Sequence, residues 1–259
     1  MEKLTIVKVG GKVVEETQSL SHLLRAFFQI EGRRILVHGG GRTATQVAAR
    51  LGIETQMVNG RRITDAEMLR VVTMVYGGLV NKNIVSQLNA LGVKALGLTG
   101  ADLGIIRSHR RPPLPDGTDY GFVGDIDSVD AEAIRTLLEG NMLPVIAPLS
   151  LGADGQLLNT NADTIAASVA EAMAALYNVT LIFCFEHKGV LRNPDDPDSV
   201  IPRIDSHSYE QLKADGIVSG GMLPKLDNSF AALRAGVKRV VITRADQITD
   251  NTKSTIIQI

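Results

Sequence analysis

Short apolar runs alternate with longer amphipathic stretches along most of the chain. Stretches with apolar residues at three- and four-residue steps predict helices near 17–31, 42–51, 65–91, 130–140, 161–176, 207–215 and 222–236. Short runs rich in β-branched residues predict strands near 4–9, 34–38, 94–98, 144–147, 180–185 and 238–243. Strands that alternate with helices in this way predict an α/β fold with a largely parallel sheet covered on both faces.

Three features interrupt this regular pattern. Arginines and prolines are concentrated within residues 103–125, which predicts an exposed hairpin or turn over the strand ends. Residues 192–202 contain two turn-forming dipeptides that end in proline and predict a surface loop. In the longest helical stretch, Gly77 and Gly78 predict a kink or a close helix contact.

Composition narrows the class of protein. The 259 residues are 44% hydrophobic and 21% charged, as in ordinary globular proteins, and the net charge of −1 favours neither a nucleic-acid nor an anionic-membrane partner. Cys184 is the single cysteine, so an intramolecular disulfide is excluded, and it is predicted to be a small buried residue. No apolar run approaches the roughly 20 residues of a membrane span, and no signal peptide is recognisable. We therefore expect a soluble cytoplasmic protein.

Glycine-rich turns follow the first two predicted strands. The first reads Lys8-Val9-Gly10-Gly11 and the second His38-Gly39-Gly40-Gly41, and a helical pattern follows each. Glycines allow main-chain N–H groups to approach an anion closely, and the N-terminus of the following helix adds its positive dipole end. Two such turns and a lysine predict a site where a phosphoryl group is transferred.

Three further segments carry candidate polar residues. In 159–163, asparagines and an aspartate either cap the next helix or bind a substrate carboxylate and hold a pair of cations. Lys225 follows a glycine turn in the first turn of a helix and is either solvated or close to an anion. In 59–64, Thr64 is a predicted helix cap, one arginine can bind a carboxylate in bidentate fashion, and solvent exposure is the preferred interpretation for Arg61.

Several familiar catalytic patterns are absent from the sequence. It contains no P-loop, no Gly-x-Gly-x-x-Gly that opens a helix, no His-Glu-x-x-His and no Gly-x-Ser-x-Gly. A zinc hydrolase and a serine hydrolase are therefore not indicated. His38 is interpreted as a strand-end residue with a structural hydrogen bond rather than as a general base.

Several motifs follow one another in a distinctive order along the chain. After the two glycine turns come Asn59-Gly60-Arg61-Arg62-Ile63-Thr64, Asn159-Thr160-Asn161-Ala162-Asp163 and Gly220-Gly221-Met222-Leu223-Pro224-Lys225. Over essentially the whole chain, this order resembles that of the N-acetyl-L-glutamate kinases in the amino acid kinase family. The resemblance implies a three-layer αβα sandwich around an open, mainly parallel eight-stranded sheet. It also implies an N-terminal lobe, residues 1–176, that binds acylglutamate and a C-terminal lobe, residues 177–259, that binds ATP.

The resemblance also assigns residues to roles. Lys8 and Lys225 are expected to stabilise the transferring phosphoryl group, and Asp163 to orient both lysines. The residues expected to bind the acylglutamate are Gly40 and Gly41, through the reacting carboxylate, and Arg62 and Asn159, through the α-carboxylate. The residues expected to bind ATP are Gly11, Glu186, His187, Lys188, Gly189, Val190, Leu191, Ile217, Val218 and Ser219. No metal site in the protein is expected, because Mg²⁺ would arrive with ATP.

The sequence leaves some questions open. Members of the family commonly have an aspartate and a valine before the glycine of the nucleotide loop, where this chain has Glu186-His187-Lys188. Arg107, Arg110 and Arg111 belong either to a solvated hairpin or to a site for N-succinylglutamate, whose extra carboxylate needs a partner. A non-catalytic arginine sensor or interaction scaffold is the alternative from another class. The first strand begins by Leu4, without the N-terminal helix of arginine-inhibited relatives, so we expect a homodimer with little feedback inhibition.

Overall fold

A computed structural model describes residues 1–220 and 222–259 of the chain. Gly221, part of the glycine turn predicted before Lys225, lies outside the described residues. In the described part, the main sheet has eight strands in the order β12-β14-β13-β11-β1-β2-β8-β5. These strands are β1 (Lys3–Val9), β2 (Arg33–His38), β5 (Ala95–Leu98), β8 (Leu143–Ile146), β11 (Asn178–Phe185), β12 (Arg203–Ile204), β13 (Arg239–Arg244) and β14 (Thr255–Ile257).

The pairing in this sheet confirms the predicted fold class. Neighbouring strands from β5 to β13 are all parallel, and only β14 pairs with β13 in the antiparallel direction. The α-helices are α1 (Lys12–Glu15), α2 (Thr17–Phe28), α3 (Gly41–Arg50), α4 (Ala66–Val72), α5 (Asn81–Ala90), α6 (Ala131–Glu139), α7 (Ala162–Met173), α8 (Ser206–Ala214) and α9 (Met222–Arg234). All of the strands and helices predicted from the sequence are present, with ends shifted by a few residues.

Two apolar cores, one on each face of the sheet, hold these layers together. Successive residues of a strand point to opposite faces, so Ile6 packs in the core that contains α7 and α9. Its neighbour Val7 packs in the core that contains α2 and α5. This two-sided burial explains why the central strands have continuous apolar sequences.

A second, smaller sheet was only partly predicted. The arginine- and proline-rich segment forms the antiparallel strands β6 (Ile106–Arg110) and β7 (Gly124–Val129), which confirms the hairpin. The sequence did not predict that this hairpin joins β9 (Leu149–Leu151) and β10 (Leu157–Asn159) in a four-stranded sheet. Short strands that pair over long sequence distances carry little local pattern. A further two-stranded sheet consists of β3 (Met57–Val58) and β4 (Arg61–Arg62).

The long helical stretch is continuous but changes its winding in the middle. A π-helix, Thr73–Val80, lies between α4 and α5. A Cβ placed on Gly77 would lie 3.6 Å from both Leu149 and Thr99, so the helix packs closely against the strand ends here. The structure therefore shows a contact at Gly77, with strand ends rather than with another helix, whereas a Cβ on Gly78 would have nothing within 4 Å. The predicted cap is wrong: the N-cap is Asp65, whose carboxylate accepts a hydrogen bond from the Met68 N–H, and Thr64 instead donates to the Arg62 carbonyl.

Candidate active site

The two glycine turns lie side by side at the carboxyl ends of β1 and β2. The N–H of Gly39 donates to the Val9 carbonyl at 2.8 Å, and a Cβ on Gly39 would lie 3.4 Å from Gly10 Cα. Gly11 has a φ of 60°, a left-handed conformation that glycine adopts without strain. α3 begins at Gly41, so its free N-terminal N–H groups lie at the same edge of the sheet. The turns therefore form a main-chain surface that is suited to an anion.

The two predicted lysines meet at one carboxylate. Lys8 Nζ lies 2.8 Å from Asp163 Oδ1, and Lys225 Nζ lies 3.0 Å from Asp163 Oδ2. The side chains of Lys8, Asp163 and Lys225 are only 13%, 17% and 11% exposed. Lys225 Nζ also lies 5.3 Å from the centre of the Phe183 ring. β1, α7 and α9 each supply one member of this ion-pair cluster, so it depends on the packing of three distant segments.

The charges in this cluster control its protonation. Burial would raise the pKa of Asp163, but the ammonium groups of Lys8 and Lys225 outweigh it and hold the pKa well below its usual range. Burial lowers the pKa of Lys225, and the Asp163 carboxylate opposes that change. The cluster holds two ammonium groups against one carboxylate. It therefore carries a net positive charge in a nearly enclosed place, which favours binding of an anion.

Arg62 and Asn159 lie in the same cleft and are linked to each other. The buried Arg62 guanidinium donates to Gly41 O at 2.8 Å and to the Thr45 and Thr55 hydroxyls. Within the described residues, Met68 Sδ at 4.0 Å is a further partner, and all of these partners are uncharged. Asn159 Nδ2 donates to Thr64 Oγ1 at 2.9 Å, and that hydroxyl donates to Arg62 O. A buried guanidinium with neutral partners is a binding group for a carboxylate.

A cleft of about 180 Å³ connects these groups. Its lining includes Gly40, Gly41, Arg62 and Asn159. An adjoining cavity of about 530 Å³ is lined by Asp163, Gly220 and Pro224, among others. Gly60, Arg61 and Asn161 line both cavities, so the second glycine turn and Asp163 of the ion-pair cluster face adjoining spaces.

Sequence reasoning did not identify Tyr76 as a site residue. Tyr76 projects from the π-helix, is almost fully buried and lines the cleft. A Cβ on Gly40 would lie 2.9 Å from Tyr76 Cδ1, so only glycine at that position leaves room for the ring. Burial raises the pKa of the Tyr76 phenol, which the nearby Arg62 guanidinium opposes. The neighbouring Gly77 and Gly78 mark the unusual helix in the sequence, but they do not show which way Tyr76 points.

The prediction that the Arg61 side chain is exposed to solvent is wrong. The side chain is half-buried in the cleft, and the cost of removing its charge from water lowers its pKa, with the nearby Arg111 adding to the effect. Two of the hairpin arginines form ion pairs instead of facing a free site. Arg110 Nη2 lies 2.8 Å from Asp119, and Arg111 Nε lies 3.0 Å from Asp125.

The residues assigned to the nucleotide lie in two loops of the C-terminal half. Glu186 follows β11 and lies near Gly11, where a Cβ on the glycine would be 3.4 Å from Glu186 Oε1. The same oxygen accepts a hydrogen bond from Arg42 at 3.2 Å. Lys188 forms an ion pair with Asp198, and His187 is exposed.

The remaining nucleotide-loop residues differ in exposure. The side chains of Val190 and Val218 are buried in the apolar core, so any nucleotide contact from them has to use the main chain. Gly189 and Leu191 are also buried, whereas Ile217 is half-buried and Ser219 is exposed. A Cβ on Gly189 would lie 2.6 Å from Thr255 Oγ1, which explains the glycine there.

Two candidate residues have structural surroundings that agree with their predictions. Cys184 is buried, and burial raises the pKa of its thiol to about 12. Asn161 caps α7 by accepting hydrogen bonds from the N–H groups of Asp163 and Thr164. Among the described residues, no group of three or more histidine, cysteine or acidic side chains is placed to hold a metal ion. None of the helices described here is long and apolar enough to cross a membrane.

Comparison with known proteins agrees with this geometry. The amino acid kinase family model matches residues 3–244. The chain is 60% identical over 250 residues to the acetylglutamate kinase of Bacteroides thetaiotaomicron, and the match covers 96% of both chains. It is 39% identical over 257 residues to the acetylglutamate kinase of Methanopyrus kandleri, with 98% of this chain and 100% of the relative covered.

Solved structures share the fold. The smu.665 protein of Streptococcus mutans UA159 is 26% identical, with a TM-score of 0.80 and 98% of both chains covered. Carbamate kinase from Giardia lamblia, at 14% identity and a TM-score of 0.71 over 99% of both chains, shows the fold alone. The matching family model, the full-length relatives and the shared architecture lead to one conclusion. The chain belongs to the amino acid kinase family and groups within it with the acetylglutamate kinases.

Proposed function

We propose that this protein transfers the γ-phosphoryl group of ATP to the γ-carboxylate of N-acetyl-L-glutamate, a step of arginine biosynthesis. The observation that carries the proposal is the convergence of Lys8 and Lys225 on Asp163, at 2.8 and 3.0 Å, beside two glycine turns. Full-length relatives named acetylglutamate kinases support the same activity. A site for arginine sensing or for protein interaction alone would not need two buried lysines held by one carboxylate, so we favour the enzyme over a non-catalytic scaffold.

The proposed acylglutamate site uses the buried half of the cleft. Arg62 and Asn159 bind the α-carboxylate, since the guanidinium has neutral partners and Asn159 is held by Thr64. The main-chain N–H groups of Gly40 and Gly41 bind the reacting carboxylate. The ring of Tyr76 packs against this turn and closes one side of the cleft.

The proposed nucleotide site lies on the C-terminal side of the ion-pair cluster. Gly11 donates its N–H to the phosphates, and the loops 186–191 and 217–219 contact the rest of the nucleotide. Mg²⁺ is proposed to arrive with ATP, because phosphate oxygens are the ligands it prefers, and it would neutralise charge on the polyphosphate. In this view residues 1–176 bind acylglutamate and residues 177–259 bind ATP.

The reaction requires charge stabilisation more than proton transfer. The γ-carboxylate has an ordinary pKa near 4.3, so it is ionised at neutral pH and attacks without a general base. Two ammonium groups and main-chain N–H donors then stabilise the negative charge on the transferring phosphoryl group. Asp163 keeps the two ammonium groups together, because their mutual repulsion would otherwise drive them apart.

Trapping the acyl phosphate tests the proposal directly. With ATP, Mg²⁺ and N-acetyl-L-glutamate, added hydroxylamine is expected to give the hydroxamate in an amount that matches the ADP formed. Absence of hydroxamate with every acylglutamate, despite a folded protein, would refute the proposed function. The same assay with N-succinyl-L-glutamate settles the acyl group. We expect acetyl to be preferred, because Arg110 and Arg111 are already paired with aspartates.

We also propose a cytoplasmic homodimer. Met74 and Leu79 are more than half exposed on the π-helix, where they offer an apolar surface. Light scattering is expected to give twice the chain mass. A monomer, or a hexamer, would contradict this assembly without bearing on the proposed reaction.

A further inference from the structure

His38 is completely buried directly before the second glycine turn. Its Nδ1 lies 2.7 Å from the Gly39 carbonyl oxygen, and its Nε2 lies 3.1 Å from Asn81 Nδ2. The imidazole lies behind the turn and is not part of the cleft lining. It therefore has no access to substrate, and the reaction described above does not use it.

The partners of Asn81 determine which imidazole nitrogen carries the proton. Lys82 Nζ donates to Asn81 Oδ1 at 3.0 Å, and Asn81 Nδ2 donates one hydrogen to the Val145 carbonyl at 2.9 Å. These two contacts fix the orientation of the amide, so the second Nδ2 hydrogen points at His38 Nε2. Nε2 is then an acceptor, and the proton of the neutral ring is on Nδ1, which donates to Gly39 O.

The contact with Gly39 O sets the orientation of the next N–H. No cis peptide bond occurs among the described residues, and in a trans peptide the C=O and N–H groups point in opposite directions. When the Gly39 carbonyl points at His38, the N–H of Gly40 points away from the buried side. Gly39, Gly40 and Gly41 all line the cleft on that other side.

We propose that His38 is a positioning residue that holds the Gly39–Gly40 peptide so that the Gly40 N–H is aimed at the reacting carboxylate. Asn81 and Lys82 extend this arrangement by fixing the tautomer of His38. The inference rests on the proposed function, because it needs the carboxylate of an acylglutamate at Gly40. It adds to the proposed site three hydrogen-bonded side chains, those of His38, Asn81 and Lys82, which act on the substrate through the Gly39–Gly40 peptide.

Three further observations support this arrangement. Burial lowers the pKa of His38 to about 4, so the ring stays neutral at working pH and Nε2 stays available as an acceptor. A Cβ on Gly97 would overlap Asn81 Oδ1, so the adjacent strand leaves the space in which the Asn81 amide fits. The π-helix ends at Val80, and Asn81 begins α5, so the unusual winding also determines where Asn81 points.

A matched pair of substitutions separates positioning from packing. Both His38→Asn and His38→Gln remove the ring. The amide nitrogen of asparagine can take the place of Nδ1 and donate to Gly39 O, whereas that of glutamine takes the place of Nε2 and leaves Gly39 O without its donor. Purified variants are compared by circular dichroism, thermal midpoint and steady-state kinetics with each substrate varied in turn.

We expect His38→Gln to lower kcat about 10- to 100-fold, somewhat less than complete loss of one transition-state donor, with an unchanged KM for ATP. We expect His38→Asn to restore kcat to within about threefold of the unsubstituted protein, because the donor to Gly39 O is kept. Equal loss in both variants, or no loss in His38→Gln, would overturn the proposal. A change confined to KM would do so as well.

Nitrogen NMR of the unsubstituted protein labelled with ¹⁵N-histidine gives a test that does not depend on stability of the variants. Nδ1 is expected to have the chemical shift of a protonated ring nitrogen and Nε2 that of an unprotonated one. The opposite tautomer would overturn the positioning role even if neither variant folds. Absence of acyl phosphate formation by the unsubstituted protein is a separate result, which defeats the proposed function and with it the purpose of the arrangement.

Discussion

The two sides of the cleft are built in different ways. On the proposed acylglutamate side, Arg62 and Asn159 are buried; Arg62 donates to the half-buried Gly41, and Asn159 donates to the buried Thr64. On the proposed nucleotide side, the ion pair of Glu186 with Arg42 is half-exposed, and Asp198, the partner of Lys188, is mostly exposed. Buried polar networks fix geometry because an unpaired member is costly, whereas exposed ion pairs contribute little.

This difference bears on how the sequence can vary. On the buried side, changing one residue leaves its partners unsatisfied, so several residues have to change together. On the exposed side, changing one residue of a solvated ion pair leaves its partner in contact with water, so single changes are tolerated. The unusual Glu186-His187-Lys188 sequence lies on this second side, where a departure from the family pattern costs least.

The largest expected effect is on the ion-pair cluster between the two sides. Asp163→Asn leaves two ammonium groups without their shared carboxylate. We expect the free energy of unfolding to fall by about 3–5 kcal/mol, the usual result of breaking a buried ion pair from one side. Urea unfolding at pH 7 measures it. The control Asp198→Asn is expected to leave the transition unchanged, and equal stability of the two variants would show that the cluster is not effectively buried.

Loss of either lysine is expected to affect turnover next most strongly. Lys8→Ala and Lys225→Ala each remove one stabilising charge, which typically costs about 2.7–4 kcal/mol, or 10²–10³ in kcat, with a much smaller rise in KM. Steady-state kinetics with both substrates measures the effect. Lys213→Ala, which removes a surface lysine paired with Glu210, serves as the control. Unchanged turnover in both active-site variants would refute the roles proposed for them.

The buried side should also be sensitive to acid. The pKa of His38 is lowered from 6.5 to about 4, so the unfolded chain binds this proton more readily than the folded one. Its contribution to stability is therefore fully present above pH 6.5 and is lost as the pH falls towards 4, by about 3 kcal/mol in all. The stabilising contribution of Asp163 is lost at lower pH than that of His38, because the pKa of Asp163 in the folded protein lies below its usual range.

Urea unfolding between pH 7 and 4 tests this expectation. His38→Asn lacks the titrating ring, so its free energy of unfolding should depend less steeply on pH than that of the unsubstituted protein. Parallel curves for the two proteins would mean that His38 is not a neutral buried group.

The smallest effect is expected on the nucleotide side. Glu186→Gln removes a half-exposed ion pair at 3.2 Å from Arg42, and pairs of this kind contribute about 0–1 kcal/mol. The KM for ATP should therefore change by less than about fivefold, and the KM for acylglutamate should not change. Kinetics at low and high salt measures both. An increase of more than tenfold in either KM would show that the nucleotide side is as tightly organised as the acylglutamate side.

Much of the fold could be predicted because the relevant pattern is local. The apolar run of β1 and the glycines after it lie within nine residues, and the helical period of α7 repeats over three turns. The four-stranded sheet was missed because β9 and β10 are three residues each, and β9 joins them to the distant hairpin by pairing with β6. Arg61 was predicted to be exposed because nothing local in the sequence distinguishes a half-buried arginine from an exposed one.

The sequence by itself determined the alternation of strands and helices, the glycine turns and the residue types that a phosphoryl-transfer site requires. Each depends on residues close together in the chain, through side-chain periodicity or main-chain conformation. The resemblance implied that Asp163 orients Lys8 and Lys225, and the tertiary structure brought both ammonium groups within 3.0 Å of the Asp163 carboxylate. Only the tertiary structure decided that the π-helix directs Tyr76 and Asn81 to the second glycine turn. These contacts join segments far apart in sequence, and their geometry is fixed by how the layers pack.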